Sequence, residues 1–139
     1  MNRPGIGVGV FVRNGTKVLV HQRKNAHGQD TWGLIGGHME FGKTFEETAR
    51  DEVREETGLT DIEFKGIFCL NNEQVYGKHY VNIGFLTEWK SGEPFAAEPE
   101  KSRNWHWVDP QKLPQPMFPP SGAMVESWLA KRFTTEVRS

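Results

Sequence analysis

The stretch Gly37–Leu59, GHMEFGKTFEETARDEVREETGL, decides how the rest of the chain is read. Thr44 followed three residues later by Glu47 is a capping-box pattern, in which each side chain satisfies the other's backbone N–H. Phe45, Ala49 and Val53 recur every four residues and form one apolar stripe. Gly58 stands where a left-handed C-cap belongs. These signals predict a helix over Phe45–Thr57. Ahead of it, Gly33, Gly36, Gly37 and Gly42 suit a loop whose backbone must approach something closely.

The acids on this helix fall in an unexpected place. With about 100° of rotation per residue, Phe45, Ala49 and Val53 define one side. Glu56 and Glu52 fall on that same side, and Glu55 lies beside it. Like charges four apart on a helix repel, and partial burial of ionised carboxylates is costly without a partner. A divalent metal resolves the conflict. Carboxylate oxygens, a backbone carbonyl and waters are what Mg²⁺ prefers, and it shares its shell with substrate phosphates. The alternative is a solvated, charge-rich helix with ordinary pairs such as Glu46 and Arg50.

Outward from this segment the chain alternates short elements. Ile6, Val8, Val10 and Val12 read as a strand, Asn14-Gly15 as a tight turn, and Val18–His21 as the returning strand. A polar stretch, Arg23–Asp30, leads to Trp32. Beyond the helix, Ile62–Leu70, Tyr80–Trp89 and the short run Trp105–Val108 read as strands. Pro114, Pro116, Pro119 and Pro120 argue against regular structure until about Ser121. Met124, Val125, Trp128 and Leu129 have helical spacing, and residues 134–139 read as a frayed tail. The pattern is an α/β (α+β) layered domain, taken as one unit over residues 1–139.

Composition bounds the function. Seventeen Lys and Arg against eighteen Asp and Glu give a formal charge of −1, which argues against a polybasic nucleic-acid or membrane-surface binder. Hydrophobic residues at 36% suffice for a core. Cys69, the single cysteine, reads as a buried thiol. No export signal or membrane span is read, so the expected compartment is cytoplasmic.

The Gly37–Leu59 stretch resembles the Nudix box of the MutT-type pyrophosphohydrolases, matching at Gly37, Glu52, Val53, Glu55, Glu56, Gly58 and Leu59. Flanking similarity includes Arg3-Pro4-Gly5, Trp32, and Glu98–Lys101 ahead of Trp105 and Trp107. The resemblance implies a Nudix-type α/β/α sandwich with a mixed β-sheet between helices. It also implies a Mg²⁺ enzyme (Mn²⁺ as substitute) that hydrolyses a phosphoanhydride in a nucleoside diphosphate-linked substrate. A nucleoside triphosphate giving monophosphate and pyrophosphate is the first expectation. ADP-ribose or nucleotide-sugar hydrolysis is the alternative, and a non-catalytic nucleotide sensor the third. A homodimer is a further expectation of the resemblance.

The same resemblance assigns roles. Glu52 and Glu56 are the expected principal metal ligands, with Glu55 completing the shell and the Gly36 carbonyl adding a ligand. The general base is Glu55 or Glu52. Glu100, favoured over Glu98, is the expected acid from a distant loop. Arg23, His38 and Gly37 are expected at the substrate, and Glu40 at a second metal through water. Trp32, Phe68, Tyr80, Trp105 and Trp107 are expected mainly in the core, with one or two lining a base pocket. Two positions depart from the family pattern: Lys43 replaces a glutamate and Asp51 an arginine. Since both signs invert together, we expect a bridge of reversed polarity between loop and helix.

Overall fold

The computed structural model describes residues 2–24 and 28–138. Residues 25–27 of the polar stretch Arg23–Asp30, and Ser139 of the expected tail, lie outside the described residues. Among the described residues the elements are β1 (Gly5–Asn14), β2 (Lys17–Arg23), β3 (Trp32–Gly33), β4 (Ile35–His38), α1 (Phe45–Thr57), β5 (Ile62–Val75), β6 (Lys78–Trp89), β7 (Ser102–Val108), α2 (Pro119–Ala130) and β8 (Thr134–Arg138).

Alternation along β1 builds two layers. Val8, Val10 and Val12 point to one face and pack with Ala49 and Val53 of α1, Ile35, Ile83 and Phe85. Phe11 points to the other face, with Met124 and Val125 of α2, Val18, Val20 and Cys69. The sheet is therefore covered by one helix on each side, the α/β/α arrangement expected. Strand order is β3-β2-β1-β6-β5-β8, with β4 added to β1 and β7 to β2. The sheet is mixed: β1 runs parallel to β6 and antiparallel to β4. Among the described residues no helix is long and apolar enough to cross a membrane.

Strands β2, β6 and β7 extend one to three residues past their expected ends, and four larger differences from the sequence expectation follow. The glycine-rich segment is not a simple loop: β3 and β4 form within it. β4 pairs Gly36 with Gly9 and Gly37 with Val8, so bare backbone serves strand pairing rather than a turn. Residues 134–138 are not a frayed tail, because β8 lies parallel on β5 and buries Val137. Helix α2 begins at Pro119, earlier than Ser121, because a proline in the first turn lacks only an N–H that has no helical partner anyway. Strand β5 runs five residues past Leu70, carrying Asn71 and Glu73 inside the sheet.

Candidate active site

Helix α1 is pinned at both ends, and that fixes where its acids point. The Glu47 N–H donates to Thr44 Oγ1 at 3.1 Å, and the Thr44 N–H donates to Glu47 Oε1 at 2.9 Å. Gly58 adopts φ 76° and its N–H donates to the Arg54 carbonyl at 2.9 Å. That left-handed conformation is strained for a residue with a Cβ. Between these caps Glu56 is 8% exposed, Glu52 is half-buried and Glu55 is exposed.

β4 lies against the acidic side of α1. The Gly36 N–H donates to Glu56 Oε2 at 3.2 Å. A Cβ on Gly37 would stand 2.7 Å from both Glu52 carboxylate oxygens, so only glycine admits Glu52 there. The Glu52 and Glu56 carboxyls face each other closely enough to share a proton. Burial first, then the Glu52 carboxyl and the charge of Glu98, raises the Glu56 carboxyl well above the usual range. Burial likewise raises Glu52, with repulsion from Glu55, Glu98 and Glu40. Two carboxylates so placed share a proton or a cation. The donors are all hard oxygens, which fit Mg²⁺ or Mn²⁺. Among the described residues, no group of three acidic, His or Cys side chains forms a ready-made metal cage. The contact pair is Glu52 with Glu56.

These residues open onto a cleft of about 700 Å³. Gly36, Gly37, His38, Glu40, Glu52, Glu55, Glu56 and Arg23 all line it, so the structure brings together most of the residues singled out in the sequence. Arg23 lies over the Phe118 ring at 3.7 Å and is drawn towards Glu56. His38 stacks on Tyr80 with ring centres 5.4 Å apart, and its Nε2 is hydrogen-bonded to the Tyr80 hydroxyl at 3.1 Å. The inverted bridge is present: Lys43 Nζ lies 2.7 Å from Asp51 and 3.2 Å from Glu40.

Glu100 does not join this group. It is exposed and outside the cleft, whereas Glu98 lines it. The cause is backbone anchoring. The Ala97 N–H donates to the Glu56 carbonyl at 3.2 Å, which sets the next residue, Glu98, beside the end of α1. The aromatic residues divide much as expected. Trp32 and Phe68 pack on one core cluster, and Trp105 and Trp107 on the other. Tyr80 lines the cleft.

Sequence reasoning missed the far wall of the cleft: His21, Glu73, Asn82 and Tyr76. A signal was present. Asn71 and Glu73 alternate in one strand, and Asn82 interrupts another, at positions where apolar residues belong if the face were plain core.

Comparison with known proteins agrees with the fold. The NUDIX domain family model matches residues 3–129. The chain belongs to the NUDIX family. It is 32% identical over 121 residues to the NAD-capped RNA hydrolase NudC of Actinobacillus succinogenes, covering 83% of this chain and 43% of that protein. Identity to the NudC of Pectobacterium carotovorum is 28% over 115 residues, covering 83% and 42%. The chain thus spans less than half the length of these curated relatives. Among solved structures, the MutT NUDIX hydrolase from Burkholderia pseudomallei superposes with a TM-score of 0.79 at 27% identity, over 90% of this chain and 98% of that one. An ADP-ribose pyrophosphatase from Streptococcus suis shares the fold, with a TM-score of 0.68 at 16% identity, over 99% and 100%.

Proposed function

We propose that this chain is a metal-dependent pyrophosphohydrolase that cleaves a phosphoanhydride bond in nucleoside diphosphate-linked substrates, with a nucleoside triphosphate as first choice. The carrying observation is the Glu52–Glu56 pair set against the bare backbone of Gly36 and Gly37 in a cleft that also holds Arg23. Glu52 and Glu56 would hold Mg²⁺ (or Mn²⁺), with Glu55, Glu98 and the Gly36 carbonyl at hand. When bound, the ion neutralises charge on the diphosphate oxygens.

The chain's own groups do the rest. Arg23 supplies a cation for phosphate oxygens, its guanidinium 3.7 Å from the Phe118 ring centre. Glycine at 37 leaves room for the Glu52 carboxylate against the main chain. One of the clustered carboxylates accepts the proton of the attacking water. Water adds to phosphorus as the bridging oxygen leaves, giving a nucleoside monophosphate and pyrophosphate from a triphosphate. This choice rests on the likeness of Gly37–Leu59 to the MutT-type box. The names of the NudC relatives and of the ADP-ribose pyrophosphatase neighbour favour a second reading, a dinucleotide or ADP-ribose substrate. A cytoplasmic homodimer belongs to the same proposal, and sedimentation tests its stoichiometry.

Product analysis decides between these readings. Nucleoside triphosphates, NAD, ADP-ribose and nucleotide sugars are incubated with Mg²⁺ and either wild type or Glu56→Gln. We expect pyrophosphate from a triphosphate, and a loss of about 100-fold or more in kcat for Glu56→Gln. Cleavage confined to NAD or ADP-ribose selects the second reading. Tight nucleotide binding with no turnover of any substrate removes both.

A further inference from the structure

The cleft has a second polar end that diphosphate chemistry does not use. The ladders place Gly7 of β1, Asn82 of β6 and Asn71 of β5 side by side, with Gly5, Tyr80 and Glu73 in the next row. Glycine keeps the floor open, since a Cβ on Gly7 would stand 2.8 Å from Asn82 Oδ1. Glu73 lines the cleft yet is only 8% exposed. The Asn82 side chain lies beside its carboxyl and favours the charged form, while Glu73 Oε2 is buried without a partner. Asn71, 1% exposed, has both amide atoms unpartnered behind Asn82. Buried polar atoms are almost always satisfied, so an orphan acceptor in a cleft wall marks a place for a donor from outside. Burial pushes the Glu73 carboxyl up to about 7, the behaviour of a carboxylate short of donors.

A carboxyl group is answered best by two adjacent N–H groups. Among the common bases, guanine alone presents a ring N–H beside an exocyclic amino group on one edge. Adenine and cytosine set a ring lone pair next to their amino group, and uracil flanks its single N–H with carbonyls. We propose that Glu73, oriented by Asn82, selects the base: its carboxyl accepts the ring and exocyclic N–H groups of a guanine-type nucleotide. This rests on reading the cleft as a nucleotide site. His38 and Tyr80, stacked beside this end, border the base.

Equilibrium calorimetry with the full chain tests the inference without turnover or metal. Titrants are GMP, IMP (which lacks only the exocyclic amine), AMP and nicotinamide mononucleotide, against wild type and Glu73→Gln. Wild type should bind GMP roughly tenfold or more tighter than IMP, with AMP and nicotinamide mononucleotide weaker still. Glu73→Gln should bring GMP and IMP within about twofold of each other. Wild type that binds IMP, AMP or nicotinamide mononucleotide as tightly as GMP overturns the inference. So does a folded Glu73→Gln that keeps the full preference. If circular dichroism shows Glu73→Gln unfolded, the wild-type series decides alone. Pyrophosphate release from GTP and ATP separates this from the parent reading. Release from neither removes the nucleotide-hydrolase reading; release at equal kcat/KM from both leaves that reading and removes this inference.

Discussion

His21 stacks on Trp105 with ring centres 4.4 Å apart, donates from Nε2 to the Leu34 carbonyl at 3.3 Å, and is 4% exposed. Burial first, then the neighbouring Arg23 charge, depresses its pKa to about 4. The neutral ring is thus the form that folds. Its contribution is fully present above the unfolded value of about 6.5 and is lost as pH falls from there towards 4. Glu73 acts in the opposite sense. Its carboxyl is raised to about 7, so its contribution is present at low pH and lost as pH rises from about 4.5 to 7. Comparing wild type with His21→Gln isolates the imidazole. Between pH 7.5 and pH 5, wild type should lose about 2 kcal/mol more than the variant in urea denaturation. Equal losses in the two proteins would mean that His21 is as easily protonated folded as unfolded.

At the scale of elements, β8 is the piece whose value is easiest to measure. It adds a parallel ladder of five pairs to β5, joining Leu70–Gln74 to Thr134–Arg138, and buries Val137. Deleting residues 134–139 removes that burial and bares the β5 edge. A loss of about 3 kcal/mol, or roughly 10 °C in Tm, is expected, with more aggregation on heating. An unchanged Tm and a clear solution would show that β8 contributes nothing. This strand was hidden in the sequence because only Val137 is buried while Thr134, Glu136 and Arg138 are exposed, so its composition looks like a solvated tail. Helix α1 was legible for the opposite reason. Its caps, stripe and acids are all local signals, and a 13-residue element carries them together. The Lys43–Asp51 bridge was legible too, because two sign changes implied each other. Glu98 was not distinguishable from Glu100, since the choice depends on one backbone bond from Ala97 to the end of α1. Glu73 and Asn82 were obscured because strand pairing, not spacing in the chain, makes them neighbours.

For the whole molecule, the near-zero net charge conceals a strong local imbalance. Glu40, Glu52, Glu55, Glu56, Glu73 and Glu98 line one cleft, against the cations Arg23, Lys78 and Lys101. The fold holds this concentration by packing α1 and α2 on opposite faces of one sheet and letting β4 bring bare backbone up to the acids. Repulsion there opposes folding, and a cation that binds the native cleft but not the unfolded chain should relieve it. Binding at one hundred times the dissociation constant stabilises by about 2.7 kcal/mol, or roughly 8 °C in Tm for a chain of this size. Thermal unfolding is therefore expected to shift upward with Mg²⁺ in wild type, and turnover to stop in chelator and return with added ion. Glu56→Gln separates the two contributions. Its amide oxygen still accepts from the Gly36 N–H and its NH₂ donates to Glu52, so without Mg²⁺ it should melt above wild type. With Mg²⁺ it should gain little. A variant that gains as many degrees as wild type would place the stabilising ion elsewhere on the molecule, and the carboxylate pair would then need another explanation.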